Sequence, residues 1–232
     1  MSALTRMRLT AFVRSGRALA PVIAALVVLG VIHGGGASPA APAYGYSAIM
    51  LFPVLAWATK LVLDTEPDVQ RRLARLAVGP RREAAAGVLA ATMIGLVFCA
   101  AAMLAPWPFG AIRGPAPGTS EPSLATGVAL GALAHLLALP AGVALGALAS
   151  RAVTRGVRNG VVVLVCGSVL AIVLGLSGSV APWLAPPLMA TARALNQPVL
   201  PSGTVFWQLG AWAAAWCLAV LAAYARLRRR RS

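Results

Sequence analysis

The chain reads as an all-α integral membrane protein with six transmembrane helices, both termini cytoplasmic, and a short amphipathic helix between helices 2 and 3. Three observations lead there. Of 232 residues, 59% are hydrophobic and only 11% charged, with a mean hydropathy of +0.82; soluble domains carry ~25% charged residues. Six apolar stretches approach or exceed the roughly 20 residues that cross a hydrocarbon core of about 30 Å. The basic residues, finally, alternate between the intervening segments in a strongly one-sided way.

The spans are expected at about 18–32, 44–63, 84–105, 123–149, 159–177 and 205–225, the first being the shortest. Arg17, the short apolar run after it and the sequence HGGGASPAAPA have the order of a secretory signal. The stretch is read as a retained first span; its removal would leave five spans in the same orientation. With the N-terminus inside, 18 of the 20 Lys and Arg residues fall on the cytoplasmic side, and only Arg113 and Arg193 fall outside. The positive-inside rule thereby accounts for the net charge of +15 without nucleic acid. The C-terminal run RLRRRRS also suits anionic lipid headgroups.

No stretch between spans is long enough for an independent soluble core. Residues 106–122 are rich in Pro and Gly and predict an irregular outer loop. In the outer segment 178–204, Pro186 and Pro187 can open a helix and Leu188 and Leu195 share a face, predicting a short helix at the outer membrane surface. Trp183 and Trp207 flank it at headgroup level.

Span four repeats GVALGALA at 127–134 and 142–149. Fifteen residues at about 100° each bring the copies within roughly 60° of one another. Gly127, Gly131, Ala138, Gly142 and Gly146 then form a small-residue face for close helix packing, with Pro140 a kink between the copies. His135 projects to the same side, either lining a substrate path or packed on a neighbouring carbonyl.

Four of the five acids, Asp64, Glu66, Asp68 and Glu83, lie with five arginines in the cytoplasmic segment 64–83 and its border. Thr65 is placed as N-cap with Asp68 three residues on, and Gly79 and Pro80 supply the stop. Between them Val69, Leu73 and Leu76 fall within about 60° of one another, and Arg71, Arg72 and Arg75 occupy the opposite side. The segment predicts either a partner-docking helix or one lying in the headgroups, and four nearby acids disfavour the headgroups.

Much chemistry is excluded. The single lysine, Lys60, stands in no phosphate-binding loop, and no acid lies in a span interior where a proton- or sodium-driven transporter would place one. Cys99, Cys166 and Cys217 lack metal-ligand spacing and read as packing residues. Gly175, Leu176, Ser177 and Gly178 match the GxSG of rhomboid-type proteases, but the last span has no histidine to serve as base.

Residues 66–87, with an acidic start, a basic amphipathic helix, a small-Pro-Arg turn and re-entry into the membrane, resemble the coupling loop of ABC-2 type permease subunits of ATP-binding-cassette exporters. The six-span architecture and the N-terminal stretch RMRLTAFVRSGRAL, with Met7, Ala11 and Arg14 at helical spacing, are similar to that family as well. The resemblance implies a multi-pass subunit of a bacterial plasma membrane, a genome suggested also by the excess of Ala, Gly, Pro and Arg. It implies export of an amphipathic or lipid-like cargo, a second permease half, and a separate cytoplasmic ABC ATPase that alone holds ATP and Mg. Docking would fall to Glu66, Asp68, Val69, Arg72, Leu73, Arg75 and Leu76, and packing or pathway to Gly127, Gly131, His135, Gly142 and Gly146. The chain itself would have no catalytic, cofactor or metal site. The alternative from another class is a non-transporting anchor that docks a cytoplasmic partner through the same loop.

Overall fold

A computed structural model describes residues 2–197 and 199–230. Arg231, counted above in the basic C-terminal run, lies outside them. Ten α-helices account for nearly all of the fold: α1 Ser2–Arg14, α2 Leu19–His33, α3 Ala40–Leu63, α4 Asp68–Val78, α5 Pro80–Leu104, α6 Leu124–Leu148, α7 Arg151–Thr154, α8 Val157–Leu174, α9 Leu188–Leu195 and α10 Gly203–Arg230. Five are long and apolar enough to cross a membrane, and α1 with α2, bent by 75°, makes a sixth if the pair is taken as one span. The chain is thus a multi-pass, all-helical membrane protein.

Helix boundaries follow local chemistry. Gly16 takes a φ of +68° at the bend between α1 and α2, where a residue with a Cβ would be strained. Ser123 caps α6 by accepting the Thr126 N–H at 3.2 Å. Pro80 opens α5 at its first position, four residues before the expected start of that span, so Glu83 belongs to the first helical turn. Thr65 is not a cap: its hydroxyl donates to the Leu61 carbonyl at 2.7 Å, and α4 starts at Asp68 after Pro67.

The bundle is organised around α3. Two thirds of its span is buried (67%), against 17% for α8 and α10, which therefore form the periphery. Its closest neighbour is α6, and the two run parallel in constant register. Gly127 meets Ala40, Gly131 meets Tyr44, Gly142 meets Leu55 and Gly146 meets Thr59, each glycine opposite the residue 87 positions earlier. A hydrogen atom in place of a side chain lets the backbones approach, which replaces the missing hydrophobic drive between helices in lipid. Phe52, Ala56, Ala134, Ala138 and Leu145 fill the seam beside the glycines. On the opposite flank Leu51 and Leu55 pack with Leu29 of α2 and Phe98 and Ala102 of α5.

Helix α9 packs one face into the bundle. Leu188, Thr191, Ala192 and Leu195 are buried, and Ala192 and Leu195 close on Gly45 of α3, whose lack of a side chain admits them. The amphipathic pattern marks a helix, and that helix's apolar face is buried against α3. Trp183 and Trp207 remain exposed on either side of it.

The segment between α5 and α6 is more ordered than its Pro and Gly content suggests. Strand β2 Ile112–Arg113 pairs in parallel with β1 Ser38–Pro39. Arg113 then grips Glu121 through two bonds of 2.8 Å, and Glu121 also accepts the Ala116 N–H at 2.8 Å. Arg113 first, and that amide second, pull the Glu121 carboxyl down to about 2. A carboxylate depressed in the fold contributes order above its ordinary range near ~4.3 and loses it only as pH falls through the depressed value. Exchange protection of the Ala116 amide should therefore persist from pH 7 to pH 4, after correction for intrinsic rates, and be lost across that range in Glu121→Gln. Loss of protection in the unaltered protein by pH 4 would refute the clamp.

Candidate functional site

The feature that sets this bundle apart is a buried ionic network at one end, where α1, α4, α5, α7, α10 and the end of α3 converge. Asp64, Glu66 and Glu83, three of the loop acids, are buried rather than presented to a partner, with Glu83 only 1% exposed. Isolated carboxylates at such positions are too costly to persist. Each has basic partners.

Glu83 is the hub. Its carboxylate meets Arg8 at 2.5 Å, Arg75 at 3.4 Å and Arg228 of α10. Arg8 also clasps Glu66 in a two-pronged pair, Nε to Oε1 at 2.8 Å and Nη2 to Oε2 at 2.6 Å, and donates from Nη1 to the Glu83 carbonyl at 2.9 Å. The planar guanidinium suits this fork geometry, which an ammonium could not reproduce. Gly87, one turn along α5, leaves the space that Arg8 occupies; a Cβ there would collide with its guanidinium and would lie 2.8 Å from Leu63.

Asp64 organises a second cluster. It accepts from Lys60 at 2.7 Å and from the Arg151 N–H at 2.8 Å, so a residue following α3 caps the start of α7. Its carbonyl accepts from Arg151 at 2.6 Å and from Arg17 at 3.2 Å.

These contacts orient α4. Arg71 is buried, donating to the Leu63 and Glu66 carbonyls at 3.2 and 3.4 Å, and burial lowers its guanidinium below the ordinary arginine value. Arg75 turns in toward Glu83. Val69, Leu73 and Leu76 consequently face away from the bundle and are 69%, 60% and 85% exposed. An ordinary surface helix does the reverse, hiding leucine and showing arginine.

The docking residues expected from sequence thus divide. Asp68, Val69, Arg72, Leu73 and Leu76 lie on the accessible side. Glu66 and Arg75 are turned inward, Glu66 pairing with Arg8 and Arg75 with Glu83, and their charges hold α4 from behind. Helix α1 also presents one face to the bundle. Thr5, Arg8 and Phe12 are its buried stripe, whereas Met7 and Arg14 are exposed. In the sequence Arg8 belongs to the entry stretch RMRLTAFVRSGRAL and Arg228 to the basic run RLRRRRS, and neither is marked there as an ion-pair partner. The signal for them was the crowding of scarce acids into one segment, since acids in an apolar chain call for partners.

His135 sits within the α3–α6 seam, 1% exposed. Its Nδ1 lies 2.8 Å from the Gly131 carbonyl and its Nε2 lies 3.3 Å from the Ser47 hydroxyl, with the Tyr44 ring edge-on at 6.1 Å. This is the packed arrangement, with Ser47 and Tyr44 of α3 on the ring and Cys99 of α5 donating to the His135 carbonyl at 3.8 Å. Gly127, Gly131, Gly142 and Gly146 share that seam and face α3 rather than an open path.

An open apolar groove of about 650 Å³ does exist between α3 and α8. Pro53, Trp57, Val161 and Val165 line it, Lys60 stands at one end, and the buried Ser168 hydroxyl in its wall has no hydrogen-bond partner among the described residues. Cys99 and Cys217 are buried and Cys166 is exposed, all three as free thiols. Ser177 is exposed beyond the end of α8. Among the described residues no group of three His, Cys, Asp or Glu side chains is placed to hold a metal ion. No family model, no curated protein and no solved structure matches the chain.

Proposed function

We propose that the chain is the membrane-spanning subunit of an ATP-binding-cassette exporter of the ABC-2 type, driven by a separate cytoplasmic ATPase and completed by a second six-span half. The observation that carries this reading is the inverted helix α4. Arg71 and Arg75 are anchored inward, to the Leu63 and Glu66 carbonyls and to Glu83, which leaves Val69, Leu73 and Leu76 presented outward. A contiguous apolar face held rigidly on a small helix is the form of a helix-in-groove contact.

The anchoring supplies a route for work. A displacement applied to the outer face of α4 reaches α5 and α10 through Arg75, Glu83 and Arg228, and reaches α1 through Glu66 and Arg8. Buried, geometrically matched ion pairs do not yield to small displacements as a lipid-solvated surface would, so the helices move as a unit. The one-sided arginine distribution supports a cytoplasmic position for this end, in what this reading takes to be a bacterial plasma membrane. The groove between α3 and α8, apolar along its length with Ser168 and Lys60 as its polar points, suits an amphipathic or lipid-like cargo.

The reading expects a P-loop ATPase gene beside this chain's gene, and absence of one favours the anchoring role; the test is co-expression with that ATPase, purification through the membrane subunit, and a vanadate-sensitive ATPase assay. Leu73→Asp with Leu76→Asp is expected to reduce the co-purified ATPase at least about tenfold, the size of a hot-spot loss. Melting in detergent should stay unchanged, because both side chains are exposed. Undiminished co-purification would reject docking through α4; docking with no stimulated ATP hydrolysis would favour the anchoring role instead.

A further inference from the structure

Beside the network, α4, α5 and α10 enclose a pocket of about 390 Å³. Arg75, Arg81, Arg228 and Arg229 line it, Tyr224 forms part of its wall, and among the described residues no carboxylate contributes to the lining. The nearest acid, Glu83, is turned inward onto Arg8, Arg75 and Arg228, and Glu66 is taken by Arg8. Four guanidinium groups thus converge on the pocket, with Glu83 and Glu66 the acids that the described ion pairs of this corner use. Arg228 is fixed in place, donating to the Tyr224 hydroxyl at 2.8 Å with its guanidinium 5.8 Å from the ring centre.

We propose that this pocket binds an anionic phosphate group, carried by a lipid headgroup or free in solution. The guanidinium plane pairs with two phosphate oxygens at once, and here such groups approach from two helices and from α4. Pro80, Ala84 and Ala225 complete the walls with apolar surface, so a diacyl chain can leave the headgroup along α5 and α10. Basic pockets between helices at the cytoplasmic boundary recognise lipid headgroups in this way. A bound phosphate would tie Arg75 of α4 to the end of α10, linking the position of α4 to the composition of the surrounding leaflet. The site stands whether or not α4 docks an ATPase.

The experiment is native mass spectrometry of the full chain in detergent, titrated with phosphatidylglycerol, with zwitterionic phosphatidylcholine, or with inorganic phosphate. Phosphatidylglycerol should be retained over phosphatidylcholine. Arg81→Gln with Arg229→Gln, both exposed rim positions outside the buried ion pairs, should cut that retention about tenfold. Arg226→Gln with Arg230→Gln, which removes the same charge from the neighbouring surface, should change it less than about twofold. Displacement of the lipid by millimolar phosphate identifies the free anion as a competent ligand, and resistance to it identifies the lipid. Retention unchanged in the rim variant, or lost equally in both double variants, overturns the site.

Discussion

Glu83→Ala should destabilise the protein by about 3–5 kcal/mol, the cost of removing one partner from a buried ionic cluster and leaving its cations uncompensated. No other single side chain in the network has three guanidinium partners, Arg8, Arg75 and Arg228, and none is better shielded from water. With the carboxylate gone, Arg8 retains Glu66, but Arg75 and Arg228 face one another across a small space. Glu83→Gln keeps the shape and removes the charge, so it should recover part of the packing and little of the electrostatics. The decisive comparison is a double-mutant cycle with Arg228→Met in reversible unfolding from mixed micelles. Arg228→Met should cost less in the Glu83→Gln background than alone, with a coupling of about 0.5–3 kcal/mol. A Glu83→Gln variant within about 0.5 kcal/mol of the parent would show that the hub is incidental.

The same geometry changes which substitutions report on docking. On an isolated helix Arg75 belongs to the polar face opposite Leu73, and reversing its charge looks like a test of the outer surface. In the folded chain Arg75→Glu would set a second carboxylate against Glu83 and would weaken the end of the bundle whether or not a partner exists. Leu73 and Leu76 carry no such ambiguity, since neither touches the network.

Why some of this was readable from the sequence and some was not is a matter of range. Whether a segment is long and apolar enough to span is decided within about 20 residues, and α3, α5, α6, α8 and α10 fall where hydropathy puts them. The existence of α4 and α9 follows from periodicity over two or three turns. Which way those helices face does not, because the deciding contacts come from afar. Arg8 reaches Glu66 across 58 positions and Glu83 across 75, and α9 is drawn inward by Gly45, a residue that carries no amphipathic signal. The glycine repeat of α6 was legible as a packing face, but its partner was not: only the fold shows that Ala40, Tyr44, Leu55 and Thr59 take the facing positions.

That seam is where a single carbon should do the most damage. A methyl group at Gly146 would collide with the Ala56 carbonyl and lie 2.6 Å from Thr59 Cβ; at Gly131 it would lie 2.5 Å from the Tyr44 ring. Tyr44 can shift only by giving up its bond to the Met103 carbonyl at 2.8 Å and its contact with His135. The Ala56 carbonyl is backbone and can shift only with α3. Gly146→Ala is therefore expected to cost about 1–3 kcal/mol, the range of overpacking in a tight core. Gly146→Leu should separate α3 from α6 and prevent a stable fold. Gly30→Ala in α2 is the matched control: nothing lies within 4 Å of its added carbon, and the gain in helix propensity should make it neutral or stabilising by about 0.5–1 kcal/mol. Because α3 contributes to the ionic end through Lys60 and Asp64 as well as to the seam, Gly146→Ala should also loosen the Lys60–Asp64–Arg151 cluster. Faster exchange of the Arg151 amide in Gly146→Ala, with the Ala116 amide unchanged, would show the seam and the network moving as one body. Equal stability of Gly146→Ala and Gly30→Ala would mean that α3 and α6 are not held by close backbone approach.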